Sequence, residues 1–539
     1  MKGLRGAAVP FAALVLVLAV PFVARKAQLR PPGAPAAERF IVLTPHNESI
    51  RFELGRAFRA HMARQGRTVE IDWRAPGGTA EITRYLAGEY AASFRQHWTK
   101  DLGRPWTSEV AAALARPPAP GSGGEGARAW RAFLASNVGC GVDLLFGGGS
   151  SEFAKHAKAG RLVDAGLLAK QPELFGPGGI PQRLGGDTYW DREGRWYGTC
   201  LSSFGVCYNR DVLARLGITA APDSWGAIAT PALTAQLALA DPTKSGSVGK
   251  AFEMIVQTEM NEALGRLRAA GTPEGPGLER AAARDGWAAA VRLIRRIGAN
   301  ARYFTDFAPR VALDVATGEA AAGMCIDFFG RFEAEHAAQL GRPGSAGFAT
   351  ARGGTALDAD PIGLLRGAPH RELAVAFIQF VLSEEGQKIW SFKVGAPGGP
   401  ERYALRRLPI LPAMYEPRFE AFRSDPDERP FSKERAFVYH PEWTSHLFAA
   451  IALVVRTMCV DPDGELQEAW RALAAAGFPR EATAAFDDVT GVDYDTVDGP
   501  LRAAMQSADP LEEAHFAIAL VERHRALYRR VTALAKRGW

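Results

Sequence analysis

The stretch Tyr197-Gly-Thr-Cys-Leu-Ser-Ser-Phe-Gly-Val-Cys-Tyr-Asn209 decides how the fold of this sequence is predicted. It contains no charged residue, and its aromatic, aliphatic and β-branched residues are typical of a strand. We therefore predict one long strand over Gly198–Asn209. On a single strand, Cys200 and Cys207 have an odd separation, so they point to opposite faces and cannot form a disulfide with each other.

Strands and helices alternate on both sides of this stretch. The apolar run Arg39–Thr44 predicts a buried strand, a helix with Leu54 and Phe58 on its apolar face follows, and Thr68–Trp73 alternates as a second strand. Further strands are predicted over Val142–Phe146, Leu233–Ala240, Ala320–Phe328 and Ile362–Leu365. This alternation is typical of an α/β fold with parallel strands.

The bulk composition excludes several classes of protein. The chain has 539 residues, 47% hydrophobic and 23% charged, which is ordinary for a globular protein with two or more lobes. The net charge of +5 is small for this length and argues against nucleic-acid binding. The five cysteines are scattered and lack zinc-ligand spacing, so we expect buried small residues rather than a disulfide framework.

The N-terminus has the pattern of an export signal. Lys2 and Arg5 precede the apolar run Ala7–Val23, and further basic residues follow it. Residues 1–37 are therefore predicted to be a secretory signal or a signal-anchor with its linker, and the sequence leaves open whether the signal is cleaved or retained in the membrane. In both cases the remaining chain is expected in the periplasm or another extracytoplasmic space.

Three predicted strands end in turns that begin helices: Gly77-Gly78-Thr79, Gly148-Gly149-Ser150 and Thr243-Lys-Ser-Gly-Ser247. In open α/β sheets, ligands bind beyond the carboxyl ends of the strands, where helix N-termini present N–H groups and a partial positive charge. A cleft built from these turns suits a phosphate, phosphonate or carboxylate. His46 and Asn47 are further candidate donors or, equally, residues of a turn or helix cap.

The motifs of common catalytic sites are missing from the sequence. There is no GxSxG or HExxH, and Gly249-Lys250 does not satisfy the Walker pattern. We therefore predict a protein that is not an enzyme and holds no cofactor or metal. An enzyme acting on phosphate esters stays as an alternative, with His46, Glu48 and Asp327 as its candidate residues.

The sequence resembles the extracellular solute-binding proteins of ABC importers, in the branch with ferric-iron, sugar-phosphate and phosphoglycerate or phosphonate binders. The segments that carry this resemblance are Tyr197–Asn209, Pro222-Asp-Ser-Trp225, Ala240-Asp-Pro-Thr-Lys-Ser-Gly-Ser247, Ala322-Gly-Met-Cys-Ile-Asp327 and Pro361-Ile-Gly-Leu-Leu-Arg-Gly-Ala-Pro369. They lie within residues 38–415. The segments near 95–130 and beyond 430 depart from the family's usual pattern.

The resemblance implies an α/β fold of the type II periplasmic-binding-protein class, with two lobes and a hinge. We assign residues 38–200 to the first lobe with an insertion near 95–130, 201–315 to the second lobe, 316–430 to the return to the first lobe, and 431–539 to a helical C-terminal extension. The strand Leu201–Phe204 is expected to pass through the hinge.

The resemblance also implies which residues bind a ligand between the lobes. They are His46, Asn47, Gly78 and Thr79 from the first lobe, Thr243, Ser245, Gly246 and Ser247 from the second, and Ser202, Ser203, Gly148, Gly149 and Asp327 at or near the hinge. Ferric members of the family bind iron through tyrosinate oxygens. Here Tyr189, Tyr197 and Tyr303 are the candidates, but no Tyr-Tyr pair occurs and the hydroxyl-rich turns favour an oxyanion.

The implied function is capture of a small oxyanionic solute, such as an organophosphate or phosphonate, for an ABC importer. The expected partners are the solute and the permease and ATPase subunits, with the binding protein itself a monomer. A ferric-iron-binding transport protein is the alternative within this class. A membrane-tethered ligand sensor, anchored by residues 7–23, is the alternative of another class.

Overall fold

The computed structural model describes residues 37–432, 437–507 and 509–538, and it arranges them around two open sheets. The predicted export signal lies outside the described residues, except for residue 37. The strands are β1 (Glu38–Leu43), β2 (Val69–Arg74), β3 (Leu144–Phe146), β4 (Leu162–Val163), β5 (Arg183–Leu184), β6 (Asp187–Thr188), β7 (Tyr197–Ser202), β8 (Phe204–Asn209), β9 (Leu237–Ala240), β10 (Ala301–Thr305), β11 (Ala322–Ile326), β12 (Ala346–Thr350), β13 (Asp358–Leu365) and β14 (Leu408–Pro409).

The helices cover the faces of the sheets and form the C-terminal part of the chain. Up to the end of β12 they are α1 (Glu48–Arg64), α2 (Thr79–Gln96), α3 (Ser108–Ala115), α4 (Gly124–Ala135), α5 (Ser150–Lys158), α6 (Leu167–Lys170), α7 (Arg210–Arg215), α8 (Gly246–Ala269), α9 (Pro276–Ala299), α10 (Pro309–Thr317) and α11 (Asp327–Gln339). After β13 they are α12 (Arg371–Leu382), α13 (Glu384–Ser391), α14 (Pro417–Glu420), α15 (Pro441–Thr444), α16 (Phe448–Val455), α17 (Asp463–Ala475), α18 (Arg480–Phe486), α19 (Tyr494–Thr496), α20 (Arg502–Met505) and α21 (Pro510–Lys536).

The first sheet has the strand order β14-β7-β13-β3-β1-β2, and β4 pairs with β13. β1 is parallel to β2 and β3, whereas β13 is antiparallel to β3, β4 and β7. The side chains of β1 are buried on both faces of the sheet. Phe40 and Val42 pack with α1 and α12 on one face, and Leu43 packs with α2 on the other face. Burial on both faces explains why β1 reads as a continuous apolar run.

The second sheet has the order β10-β9-β11-β8-β12. β9 is parallel to β10 and β11, and β8 is antiparallel to β11 and β12. The predicted strand Leu233–Ala240 begins later than expected, at Leu237, because Pro231–Leu233 forms a 3₁₀ turn. The predicted strand Ala320–Phe328 ends at Ile326, because Asp327 begins α11.

The chain crosses between the sheets at Ser203. The prediction of one strand over Gly198–Asn209 is wrong in this respect, because β7 lies in the first sheet and β8 in the second. Cys200 and Cys207 consequently lie in different sheets, and all five cysteines are buried and free. The position of the crossing agrees with the hinge expected at Leu201–Phe204.

The chain leaves the second sheet later than the assigned boundary of residue 316. β11 and β12 both belong to the second sheet, and the chain returns to the first sheet only at Asp358, where β13 begins. The reason is that β11 and β12 complete the backbone hydrogen bonding of β8 on its two sides. We refer to the first sheet with its helices as the first lobe, and to the second sheet with its helices as the second lobe.

The C-terminal extension, residues 437–538, packs onto the second lobe. Its Trp443, Ile451 and Tyr528 share one apolar core with β8, β9 and α9. By length and composition Pro441–Val460 could cross a membrane, but 67% of its apolar window is buried in the protein, as in the core helix of a soluble protein. The helical character predicted for this part of the chain is confirmed.

The insertion near residues 95–130 is mostly helical and belongs to the first lobe. The end of α2, a π-helical turn at His97–Asp101, and helices α3 and α4 enclose Phe94, Trp98 and Phe133. The proline- and glycine-rich stretch is only the short connection between α3 and α4.

Candidate functional site

The carboxyl ends of several parallel strands point to the region between the two lobes. In the first lobe the turns that follow β2 and β3 lead into α2 and α5, and in the second lobe the turn that follows β9 leads into α8. This is the place where open α/β sheets bind their ligands. We call this region the cleft.

The three turns converge on Thr79. A Cβ built on Gly148 would lie 2.5 Å from Cγ2 of Thr79, and a Cβ built on Gly246, in the other lobe, would lie 3.2 Å from its Oγ1. A Cβ on Gly78 would be 3.9 Å from the carbonyl oxygen of Lys244. The predicted residues Gly78, Thr79, Gly148 and Gly246 are therefore brought together, and the two lobes touch at this point.

The helix starts at the cleft differ in how they are capped. Gly78 and Gly149 precede α2 and α5 without a side-chain cap, whereas Oγ of Ser245 accepts a hydrogen bond from the backbone N–H of Val248 at 3.5 Å. Each start presents the N–H groups and partial positive charge of a first helical turn. Gly149 has φ +86°, a conformation that L-residues rarely adopt, which explains glycine before α5.

Two carboxylates that the sequence reasoning missed already face the start of α5. The backbone N–H of Gly148 donates to Oδ1 of Asp360 at 2.8 Å, and Oγ of Ser150 donates to Oδ1 of Asp358 at 2.7 Å. Both come from the beginning of β13, where the pattern Asp-Ala-Asp places them on one face of the strand. Two aspartates on alternate positions directly before an apolar run could have indicated in the sequence that both face the cleft.

His46 belongs to a buried ion-pair network. Its Nε2 lies 3.0 Å from Oδ2 of Asp360, and the same oxygen accepts a hydrogen bond from Nη2 of Arg407 at 2.6 Å. Burial alone raises the pKa of Asp360, but Arg407 and His46 outweigh it and hold that pKa well below its usual range. Asn47 instead caps α1, since its Oδ1 accepts from the N–H of Ile50 at 3.1 Å.

The two hinge serines have different surroundings. Oγ of Ser203 donates to Oδ2 of Asp327 at 3.2 Å, and that carboxylate lies 3.6 Å from Nη1 of Arg331. Burial raises the pKa of Asp327, although Arg331 and Arg407 act in the opposite direction. The side chains of Ser203 and Asp327 are therefore hydrogen-bonded to each other within the hinge. Ser202 is only 3% exposed, and its Oγ has no hydrogen-bond partner among the described residues.

The turn that precedes α8 is held by its own side chains. Thr243 donates to Oδ1 of Asp241 through its N–H at 2.8 Å and through its Oγ1 at 2.7 Å. The hydroxyls of Ser245 and Ser247 lie 3.1 Å apart and are partly exposed. Thr243 thus shapes the turn, whereas Ser245 and Ser247 have hydroxyls at the cleft.

A buried lysine lies one turn into α8. Nζ of Lys250 is 3.0 Å from Oε2 of Glu253 and 3.8 Å from the ring centroid of Tyr439, which belongs to the C-terminal extension. Although burial lowers the pKa of Lys250, the negative groups around it, including Asp358 and Asp187 of the first lobe, raise it well above its usual value. The sequence analysis considered Lys250 only as part of Gly249-Lys250, which does not satisfy the Walker pattern, and did not predict this buried ion pair.

The candidate iron-binding tyrosines do not converge. Tyr197 is buried in the core of the first lobe together with Tyr189, whereas Tyr303 lies in the second lobe and donates to Asp314. Within residues 37–432, 437–507 and 509–538, no group of three or more His, Cys, Asp or Glu side chains could hold a metal ion.

Residues 148–400 match the family model of bacterial extracellular solute-binding proteins. The match covers 253 of 539 residues and includes the hinge, β13 and the start of α8. The resemblance stated from the sequence is thereby confirmed over these residues, and the matching family is one of solute-binding proteins rather than of enzymes. No curated protein sequence matches the chain.

The chain is also similar to solved structures of periplasmic binding proteins. The fructose-6-phosphate-bound protein AfuA from Actinobacillus pleuropneumoniae is 16% identical, with a TM-score of 0.40 over 66% of this chain and 82% of that chain. Apo ferric ion-binding protein A from Pasteurella haemolytica is 11% identical, with a TM-score of 0.45 over 77% of this chain and 96% of that chain. The spermidine/putrescine ABC transporter substrate-binding protein PotD from Streptococcus pneumoniae is 11% identical, with a TM-score of 0.44 over 78% of this chain and 99% of that chain.

Proposed function

We propose that this protein is the solute-binding subunit of an ABC importer and that it captures a small oxyanionic solute, such as an organophosphate or phosphonate, in the cleft. The observation that carries the ligand class is the convergence on Thr79 of the turns that begin α2, α5 and α8. Helix N-termini that meet in this way favour an anion, because their N–H groups and partial charges add at one place.

The cross-lobe contact supports a closing mechanism. Thr79 belongs to the first lobe and Gly246 to the second, and they touch without a side chain on Gly246. A solute that binds both helix starts at once stabilises the closed arrangement relative to an open one. Closure would then be the signal that the permease and ATPase subunits detect.

Thermal unfolding against a panel of oxyanions tests this proposal. The panel contains hexose phosphates, phosphoglycerate, phosphonates, sulfate, ferric citrate and free ferric ion. A solute present at about a hundred times its Kd stabilises the protein by roughly 2.7 kcal/mol, which gives a clear rise in Tm. We expect such a rise with an organophosphate or phosphonate, and we expect the compound to be recovered unchanged.

Ser245→Ala and Ser383→Ala form a matched pair of variants for this test. Both serines cap a helix through their Oγ, Ser245 to Val248 N–H and Ser383 to Gly386 N–H, but only Ser245 lies at the cleft. Loss of either cap costs about 1 kcal/mol of stability. Only Ser245→Ala should also reduce the solute-induced shift. A shift with ferric species alone, or an equal reduction by both variants, would contradict the oxyanion site.

We also propose that the protein acts as a monomer and that residues 7–23 either direct export or anchor the chain at the membrane. The support for anchoring is the sequence pattern alone, since these residues lie outside the described part of the chain. N-terminal sequencing of the protein purified from its native membrane fraction distinguishes a cleaved signal from a retained anchor.

A further inference from the structure

The C-terminal extension contacts both lobes, although its apolar core is shared with the second lobe. Its first described residues, 437–440, lie between helix α8 of the second lobe and the hairpin β5–β6 of the first. We call residues 437–440 the strap. The extension departs from the family's usual pattern, so the strap is a feature that the resemblance to the family does not explain.

On one side, α8 holds the strap by side-chain hydrogen bonds. Nδ2 of Asn261 donates to the carbonyl oxygen of Val438 at 3.0 Å. Gln257 makes a reciprocal pair with the backbone of His440, because its Nε2 donates to the carbonyl oxygen at 2.7 Å and its Oε1 accepts from the N–H at 3.0 Å. These three bonds fix the strap to the second lobe.

On the other side, the strap meets the tip of the hairpin β5–β6. The backbone N–H of Tyr439 donates to the carbonyl oxygen of Gly185 at 2.7 Å, and a Cβ built on Gly186 would lie only 1.8 Å from the carbonyl oxygen of Tyr439. The hairpin belongs to the first lobe, since Leu184 packs against the core of that lobe. Within the described part of the chain, the strap has fewer hydrogen bonds to the first lobe than to α8, so this joint is the weaker one.

A second contact between the extension and the first lobe lies beside the start of α8. The ring of Phe448, the first residue of α16, would be 3.0 Å from a Cβ built on Gly249, in the first turn of α8. Nζ of Lys155, on α5 of the first lobe, lies 6.0 Å from the centroid of the same ring. Because α5 and α8 both begin at the cleft, the extension joins the two lobes next to the cleft.

A hinge opening that separates the first lobe from α8 breaks these contacts. The strap then stays with α8, where it has more hydrogen bonds, so the bond between Tyr439 and Gly185 is lost. The contact of Lys155 with Phe448 is lost in the same movement. One hydrogen bond of this kind shifts an equilibrium about fivefold, because water competes for both of its groups in the open state.

We propose that the C-terminal extension is a latch that holds the two lobes together in the absence of solute. The strap and Phe448 stabilise the closed arrangement through contacts that do not involve the solute. This inference goes beyond the proposed function, and it does not depend on the chemical class of the solute. Because the same contacts must break before a solute enters or leaves the cleft, the latch also slows solute exchange.

Hydrogen exchange and spin-label distances test the latch in the full chain without added solute. Exchange of the Tyr439 amide requires its bond to Gly185 to open, so its rate measures even a rare open population. Spin labels on Gln96→Cys in the first lobe and Leu340→Cys in the second report the interlobe distance by double electron–electron resonance. Both positions are exposed, whereas all five native cysteines are buried and stay unlabelled. We expect slow exchange and one interlobe distance in the wild type.

Gly186→Ala should release the strap from the hairpin, because the added Cβ does not fit against Tyr439. We expect exchange of the Tyr439 amide to become at least about fivefold faster and a second, longer interlobe distance to appear. Gly178→Ala is the matched control. Gly178 has nearly the same φ, +84° against +90°, but a Cβ there would meet no described atom within 4 Å. It should therefore carry the same backbone strain without opening the lobes.

Lys155→Met provides a second test that leaves the strap and the hairpin unchanged. It removes the cation near Phe448, and we expect exchange of the Tyr439 amide to become about twofold faster because both contacts open together. Lys388→Met is its control, since Nζ of Lys388 lies 5.4 Å from the ring centroid of Phe419 within the first lobe and should leave the strap unaffected. Both lysines also pair with a glutamate of their own helix.

The outcomes separate the latch from the proposed function. Unchanged exchange in Gly186→Ala or Lys155→Met, or equal effects of a variant and its control, would overturn the latch. Faster exchange in Gly186→Ala without a longer interlobe distance, or a wild type whose lobes are already apart, would overturn it as well. Faster exchange in both variants with a longer distance in Gly186→Ala, and no change in the controls, would support it. The thermal-shift panel judges the proposed function independently of these results.

Discussion

The contact between Gly246 and Thr79 predicts a specific effect of adding one methyl group in the cleft. A Cβ on Gly246 would lie 3.2 Å from Oγ1 of Thr79, so the lobes must separate by a few tenths of an ångström to accommodate it. Overpacking by one carbon costs about 1 kcal/mol here, at the low end of the usual range. Because this cost applies only when the lobes touch, Gly246→Ala should weaken binding about fivefold.

The folded protein should not be destabilised by the same change. Gly246 is the first residue of α8 and has no positive φ, and alanine is a better helix former than glycine. Gly265→Ala is a matched control, because Gly265 lies in the same helix and a Cβ there would meet nothing within 4 Å. Both variants should keep or raise the Tm without ligand, but only Gly246→Ala should lose affinity.

A double-mutant cycle with Thr79→Ala isolates the contact. The measurement is calorimetric titration of the four proteins with the oxyanion that gives the largest thermal shift in the panel. In the Thr79→Ala background the added methyl group has no Oγ1 to meet, so the fivefold loss should disappear, which corresponds to a coupling of about 1 kcal/mol. An equal loss in both backgrounds, or no loss in either, would refute closure through this contact.

Three further predictions concern stability. Tyr439→Phe removes the hydroxyl that donates to buried Glu253 and should lower the free energy of unfolding by about 1–3 kcal/mol in denaturant titration, whereas a change below about 0.5 kcal/mol would contradict the role of this bond. Asp360→Asn leaves buried Arg407 without its carboxylate and should cost about 3 kcal/mol or more in the same assay; an unchanged midpoint would contradict it. Burial, with help from nearby cations, lowers the pKa of His156 from 6.5 to about 3, so its contribution to stability is complete above pH 6.5 and is lost as the pH falls. Between pH 6.5 and pH 4 this loss amounts to about 3 kcal/mol, and His156→Gln should flatten the acid limb of the stability profile by that amount.

The alternating strands and helices could be predicted because each follows from a local pattern. The apolar run that became β1, the alternation of β2 and the glycine-rich turns before α2 and α5 were all found near their predicted positions. Periodicity and turn chemistry depend on neighbouring residues, so they can be read without the fold.

The sequence could not separate β7 from β8. Tyr197–Asn209 is uncharged and buried throughout, and burial on both sides of Ser203 looks the same whether one sheet or two sheets provide it. Only the pairing partners distinguish the two cases, and these partners, β13 for β7 and β11 for β8, are more than a hundred residues away in the chain.

The same distinction between local patterns and long-range contacts applies to the residues of the candidate site. The sequence by itself predicted an export signal and helix starts at the ends of the strands, because charge pattern and turn residues are local properties, and its resemblance to a family indicated a solute-binding protein. Only the tertiary structure decided which hydroxyls are already occupied, as Ser203 is by Asp327, and which are not, as with Ser202. It alone placed Lys250, Glu253 and Tyr439 together, since the surroundings of a buried lysine depend on residues that distant segments bring into contact.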